Sequence, residues 1–379
     1  MKTLYYRPKK ISKGILISLA TLSVVIILAI ELFPVKQSDG LEAVKLDAAK
    51  RADAALAAIG EKRTEMNHRW IKQLDPAKTM VIGPTMSSVT TQVGHLEAKQ
   101  TSVNPNFAAV VVDLLASAGV TKGDRVAIGC TGSFPALDVA AYCAAEAMEL
   151  KPTIISSATS SQYGANDPEL MWPDMEKHLF EKGLIANRSI AVSLGGVGDR
   201  GVGMTDDVLA TLVNVVERSQ SPLLREKTLV ASVRERMRLY DAAADGEKFK
   251  AYINVGGGSA SVRGTKGNAV FGDGVILPTA DLTGVKDCAA LKFLERGVPV
   301  VNLINAVDLA ETYGLAVAPV APVPVGEGQV FGRTVYRRGW ASFGILLILA
   351  AAWFVMHPNA TLEKLLNGKD AAPTGQLMV

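Results

Sequence analysis

Cysteine is scarce in this 379-residue chain, and that scarcity excludes several chemistries. The three cysteines, Cys130, Cys143 and Cys288, show no CxxC spacing, so neither a zinc site nor a dithiol redox pair is encoded. At most one disulfide can form. Cys130 and Cys143 fall in apolar segments and read as small buried hydrophobes. An excess of one charge is also lacking. Forty basic residues stand against 37 acidic ones, for a formal net charge of +3. A general nucleic-acid binder needs a clustered basic face, so that class is excluded, although a local anion site is not. The phosphate loop G-x-x-x-x-G-K-[ST] is absent, and no metal motif or catalytic triad stands out. The sequence therefore calls for no metal, no cofactor and no nucleic acid.

Apolar sequence is plentiful, at 49% of residues, and two stretches account for much of it. From Gly14 to Pro34 the only charge is Glu31, and a helix of about 20 residues crosses the ~30 Å core of a bilayer. No A-x-A site precedes Pro34, so an uncleaved anchor is expected rather than a signal peptide. The second stretch, Trp340–Met356, carries no charge and has Trp340 and Trp353 near its ends, where indoles favour the interface. Lys2, Arg7, Lys9, Lys10 and Lys13 precede the first span and put the N-terminus in the cytoplasm. Arg333, Arg337 and Arg338, with only Lys364 and Lys369 beyond, argue the other way at the second span. The first span decides, because long loops translocate largely regardless of charge. The expected protein is a two-pass cell-membrane protein with both termini cytoplasmic and its large domain outside.

The expected divisions are a basic tail over 1–13, a span over 14–34 and an Ala-rich helix over 40–75. An α/β domain over 76–318, a Pro-rich linker over 319–339, a span over 340–357 and a tail over 358–379 follow. In the Ala-rich helix Val44, Ala48, Ala52, Ala55 and Ile59 make a stripe of mostly small residues. Beyond Pro76, helix and strand patterns alternate. Helices are predicted over Phe107–Ala118, Ala136–Leu150, Pro168–Lys182, Asp206–Ser219 and Leu223–Ala244. Strands are predicted over Arg125–Gly129, Thr153–Ile155, Ile190–Leu194 and Tyr252–Val255. The implied fold is α/β, a mostly parallel, Rossmann-like sheet with helices on both faces, flanked by two transmembrane helices.

Such sheets bind ligands beyond the carboxyl ends of their strands. Gly129–Pro135 offers Thr131, Gly132 and Ser133, and Ser133 is either a ligand contact or the cap of the next helix. It is not a nucleophile elbow, because Pro135 stands where GxSxG needs glycine. Leu194–Gly203 contains GVGDRG, a weak dinucleotide signal; it is either a ligand loop, with Gly195, Gly196, Asp199 and Arg200 as candidate contacts, or a plain flexible loop. Asn254–Gly267 brings Asn254, Gly256, Gly257, Gly258, Ser259 and Ser261 after a strand, a possible nest of N–H donors, with Arg263 and Lys266 adding positive charge. The polar stretch Ser87–Asn106 holds Thr90, Thr91, His95, Glu97 and Lys99. His95 is either a general base or a solvated side chain. Asn166, Asp167, Asp174 and Glu176 either bind a cation or cap a helix.

Two spans bracket a domain carrying TTQVGHLEAKQTSVNPNFAA, GCTGSFPALDVA, INVGGGSAS and GVPVVNLINAVDLAETYGL. In combination these resemble the bacterial poly-γ-glutamate system protein family, roughly from Lys13 to Pro358. The resemblance implies an accessory or export subunit of a poly-γ-glutamate synthase complex. Its partners would be the ligase and integral-membrane subunits, the bilayer and the polymer. The chain has no ATP motif of its own, so it is not expected to be the ligase. The alternative is an enzyme that cleaves or transfers γ-glutamyl chains, with Ser133, Thr131, His95 and Lys99 as first candidates. The topology has a direct test. A cysteine placed in a loop of the domain should react with an impermeant maleimide added to intact cells; protection until lysis would put the domain in the cytoplasm.

Overall fold

A computed structural model describes residues 13–33, 35–37, 40–264, 270–335 and 338–356. Pro34, Lys266, Arg337 and the two tails, with Lys2, Arg7, Lys9, Lys10, Lys364 and Lys369, lie outside the described residues. The chain forms two units. One holds its ends, up to Gln37 and from Arg333; the other is Ser38–Gly332.

The first unit begins with α1 (Lys13–Leu32) and β1 (Val35–Gln37). Among the described residues α1 is the one helix long and apolar enough to cross a membrane.

In the domain, α2 (Glu42–Glu65) is shorter than the expected helix to Leu74. Its backbone ends where Asn67 takes a φ of 60°. Ala48, Ala52, Ala55 and Ile59 are buried, as the stripe predicts. The polar stretch that follows is not a bare loop. It winds into α3 (Leu96–Ser102) before α4 (Phe107–Ser117). The alternation then runs through β2 (Arg125–Gly129), α5 (Pro135–Ala147) and β3 (Lys151–Ser157). The expected helix at Pro168 starts later, because a small hairpin of β4 (Asn166–Asp167) and β5 (Leu170–Met171) comes first. Pro173 then sits in the first turn of α6 (Trp172–Glu181), where its missing N–H costs nothing.

After β6 (Ala191–Ser193) and α7 (Asp206–Arg218), the long helix expected from Leu223 is divided. Leu223 and Leu224 pair with the sheet as β7, and the helix proper, α8 (Leu229–Ala244), starts at Thr228. The Thr228 hydroxyl accepts from the Ala231 N–H at 3.1 Å, a cap that the propensity of the segment hides. The domain continues through β8 (Phe249–Val255), α9 (Ser259–Val262), β9 (Gly274–Ile276), α10 (Ala289–Glu295), β10 (Val300–Leu303) and α11 (Ala306–Tyr313).

The main sheet has the order β7-β6-β3-β2-β8-β10-β9. Its strands are parallel except β9, which runs antiparallel to β10 at one edge. Alternation along each strand sorts side chains between two layers. Val126, Ile128, Ile154, Ile253, Val255 and Val301 join a core shared with α2, α4 and α5. Ala127, Ile155, Tyr252 and Val300 face the other way, toward α8 and α10. Phe293 of α10 is 1% exposed and stacks on Tyr252 with ring centroids 4.7 Å apart.

The Pro-rich stretch, expected to be an extended linker, docks on the domain. Asn106 donates to the Pro324 carbonyl at 2.9 Å and accepts from the Gly326 N–H at 2.9 Å. One polar side chain thus satisfies a stretch of chain with few N–H groups of its own.

The first unit closes with β11 (Arg333–Val335) and α12 (Arg338–Met356). β11 pairs antiparallel with β1, Val35 opposite Val335. The apolar part of α12, Gly339–Phe354, falls short of the length of a full span. α12 packs on α1 at Gly344, where an added Cβ would lie 2.5 Å from Cγ2 of Ile26.

The aromatic layer gives a stability prediction. Phe293→Ala should cost about 3–5 kcal/mol, the usual loss for a fully buried phenylalanine. Urea unfolding of the full-length protein in detergent measures it, as a lower midpoint.

Candidate functional site

Strand order decides where a crevice opens. β3 lies on one side of β2 and β8 on the other. The chain leaving β2 enters α5, which packs in one layer, while that leaving β8 enters α9, whose Val262 packs in the opposite layer. The two connections diverge, and a gap remains between them at the carboxyl end of the sheet. A cavity of about 80 Å³ lies there. Its walls come from the turns after β2, β3, β6 and β8, and Thr91 and Gln92 of the polar stretch also line it.

The structure brings most of the expected residues together. Thr131 and Ser133 line the cavity, as do Gly195, Gly196, Gly257, Gly258 and Ser259. Ser133 does not cap α5; Phe134 occupies that position, and the Ser133 hydroxyl accepts from the Ser161 N–H at 3.1 Å. Ser259 donates to the Gly196 carbonyl at 2.7 Å, tying the third turn to the second. Two glycines are sterically required. Gly256 has a φ of 77°, and a Cβ there would sit 2.4 Å from Oγ1 of Thr131. Gly195 has a φ of 80°, and its Cβ would sit 2.3 Å from Oγ1 of Thr159. The residues lining the cavity are uncharged, so it offers hydroxyls and backbone to a guest.

Other expected residues support the walls from behind. Asn254 is buried, and its amide donates to the Gly256 carbonyl and to Oδ1 of Asn302, each at 2.8 Å, which fixes the glycine turn. Ser261 is buried close to Gly129. Gly132 lies in the same turn as Thr131, and its N–H donates to the Ser157 carbonyl at 3.3 Å. Asp199 points inward. Its carboxylate forms a buried ion pair with Arg236 at 3.0 Å and accepts from the Ser193 hydroxyl at 2.7 Å. It fastens the glycine loop to α8 rather than lining the cavity. Arg263 follows α9, half-buried and outside the lining.

Lys99 and Ser133 are neighbours, and His95 stands one helical turn before Lys99, its carbonyl accepting from the Lys99 N–H at 3.2 Å. His95 is exposed at the start of α3, and among the described residues its side chain has no hydrogen bond to either. Lys99 is 2% exposed. Its ammonium donates to the Ser133 carbonyl and to the Ser161 hydroxyl, the latter at 3.0 Å, and lies 3.6 Å from the centroid of the Phe134 ring. Burial pulls its pKa down to about 7, against the opposing pull of Asp138. Asp138 is itself fully buried, and desolvation raises its carboxyl well above the usual range.

The four residues of the acidic stretch diverge. Asn166 is buried and donates to the Pro84 carbonyl and to Thr90 Oγ1, each at 2.9 Å. Asp174 caps α6 by accepting from the Met171 N–H at 2.9 Å, and it pairs with Arg218 at 2.7 Å. Glu176 accepts from Tyr142 at 2.6 Å and from the Ser189 hydroxyl at 2.7 Å. Asp167 sits 2.9 Å from Nδ1 of His68. Sequence reasoning missed Ser157, Thr159, Gln92, Val197 and Gly264 of the cavity wall. The run SSATSS directly after a buried strand was the available signal for the first two.

Compared with protein-family models, with curated proteins and with solved structures, the chain matches none.

The depressed Lys99 pKa fixes the sign of a pH effect. Between about pH 7 and the ordinary lysine range the unfolded chain binds the extra proton, so folding gains stability as pH rises. Lys99→Met should lose that gain. Denaturant unfolding of both proteins at pH 6.5 and pH 9 checks it, and the gap should shift toward the wild type at the higher pH.

Proposed function

We propose that the protein is an accessory or export subunit of a poly-γ-glutamate synthase complex and holds a carboxylate-bearing end of the polymer in the crevice beside β2. The observation that carries this reading is the crevice itself. It stands at the strand-order reversal, its lining is mostly hydroxyl and glycine backbone, with Gln92 and Val197 besides, and about 80 Å³ suits a group of a few heavy atoms rather than a broad ligand. Hydrogen-bond donors around a carboxylate are worth about 1.5–3 kcal/mol each, so an uncharged cradle can hold an anion. The buried Lys99 stands one layer behind Ser133 and adds positive potential whenever it is protonated.

α1 supplies the anchor. In this reading α12 is a second pass, running antiparallel to α1, with both termini cytoplasmic and the domain outside. Gly344 and the β1–β11 ribbon support the antiparallel pairing of the two helices, since each holds the two ends of the chain side by side. The outward surfaces of the two helices would meet the lipid and the integral-membrane subunits, and the ligase would be reached through them.

A second reading, a γ-glutamyl hydrolase or transferase, is favoured by one observation. A lysine with a pKa of about 7 lies 3.0 Å from the Ser161 hydroxyl, within the reach a general base requires, and its other contact, the Ser133 carbonyl, belongs to the turn that lines the crevice.

Titration of the full-length protein in detergent with poly-γ-glutamate tests both. Binding should be saturable and weaken as salt rises from 50 to 300 mM, with Thr131→Val and Ser133→Ala each losing roughly tenfold, the loss of one charge-assisted hydrogen bond. No binding, or binding indifferent to both substitutions, sinks the first reading. Chain shortening that vanishes in Ser133→Ala would favour the second.

A further inference from the structure

The end of α2 carries a buried arginine with much of its hydrogen-bonding capacity unused. Arg63 is 4% exposed. Its Nη1 donates to the Ile82 carbonyl at 2.7 Å. Its Nε and Nη2 are buried and have no hydrogen-bond partner among the described residues. These two N–H groups share one edge of the guanidinium plane and point the same way. That is the fork that grips two oxygens of a carboxylate or phosphate. Arginine stays charged in proteins, and buried polar groups are ordinarily paired.

Neighbouring acids do not fill the fork. Asp75 accepts from the N–H groups of Met80 and Thr79 at 2.6 and 3.1 Å, and from the Thr79 hydroxyl at 3.2 Å. Asp167 faces Nδ1 of His68 at 2.9 Å and accepts from the Glu169 N–H at 3.1 Å. Burial opposes the charge on Arg63, and these two acids favour it only through space.

Arg63 also walls a cavity of about 110 Å³. His68, Trp70 and Ile71 close one side, the Met80–Pro84 segment another, and Asp167 of the β4–β5 hairpin contributes as well. His68 Nε2 is a further buried atom without a hydrogen-bond partner. None of these residues lines the crevice beside β2. A cation is the competing guest, since His68, Asp167 and Glu169 place ligand atoms within 4.8 Å of one another. However, it would set a second positive charge beside a guanidinium that already lacks a hydrogen-bonded counter-ion.

We propose that this cavity is a second oxyanion site, in which Nε and Nη2 of Arg63 hold a carboxylate or phosphate group and His68 completes the wall. The proposal stands independently of the crevice beside β2. The test uses full-length protein in detergent, titrated calorimetrically with N-acetylglutamate, inorganic phosphate, MgCl₂ and ZnCl₂ in turn. At least one oxyanion should bind, and which one does identifies the source. Arg63→Lys keeps the charge but loses the fork, and should weaken binding at least tenfold. Ile71→Trp, at an exposed position on the cavity wall, narrows the space with Arg63 intact and should do the same. Repeating the titrations in a Ser133→Ala background separates the two sites, because binding at Arg63 should survive that change. Oxyanion binding that is absent, or indifferent to both variants, overturns the proposal. So does metal binding that depends on Asp167 and displaces no oxyanion.

Discussion

The reversal of strand order beside β2 is the constraint on which the rest of the domain depends. A parallel sheet must be covered on both faces, so each connection commits to one layer or the other. Where neighbouring strands send their connections to opposite layers, no backbone lies over the gap between them. The domain meets this gap with short turns rich in glycine and hydroxyls, and with the segment around Thr91 that reaches it from elsewhere in the chain. Gly195 and Gly256 belong to the same solution, because their positive φ values bring backbone against Thr159 and Thr131 where a side chain would not fit. The crevice is therefore a product of connectivity first and of residue chemistry second.

Much of this was legible in the sequence. Alternating apolar periods fixed the class of fold, and β2 fell where Arg125–Gly129 was expected. Boundaries were less legible wherever a tertiary partner outweighed local propensity. Leu223 and Leu224 look helical alone but are taken by the edge of the sheet, and Thr228 restarts the helix. The site was legible as a set of turns after strands, which is how Thr131, Ser133 and Ser259 were found. Spacing could not separate wall from scaffold. Asp199 shares a loop with cavity residues and Asn254 ends the strand just before one, yet both point into the protein, where Arg236 and Asn302 hold them. Arg63 was invisible because nothing in an Ala-rich helical pattern marks a buried charge.

Four buried cations show how differently one fold can treat the same problem. Lys45 is matched by Asp113 at 2.6 Å and by the Val330 carbonyl at 3.0 Å. Arg236 is enclosed with Asp199 and two serine hydroxyls. Lys99 has a carbonyl, a hydroxyl and an aromatic face, and burial brings it close to neutrality near pH 7. Arg63 cannot shed its proton and has one carbonyl. The first two arrangements are closed and stabilise structure. The last two leave chemistry unfinished, and both border cavities or the turns that form them.

The ribbon of β1 and β11 has a consequence for how the chain ends stay together. It closes a loop of about 300 residues, and the entropy of closing such a loop in an unfolded chain rises only with the logarithm of its length. With β1 and β11 paired, that cost has already been met, and α1 and α12 face each other at a high effective concentration. A contact as slight as Gly344 against Ile26 can then keep the two helices paired. The ribbon thus acts as the clasp for the two terminal helices.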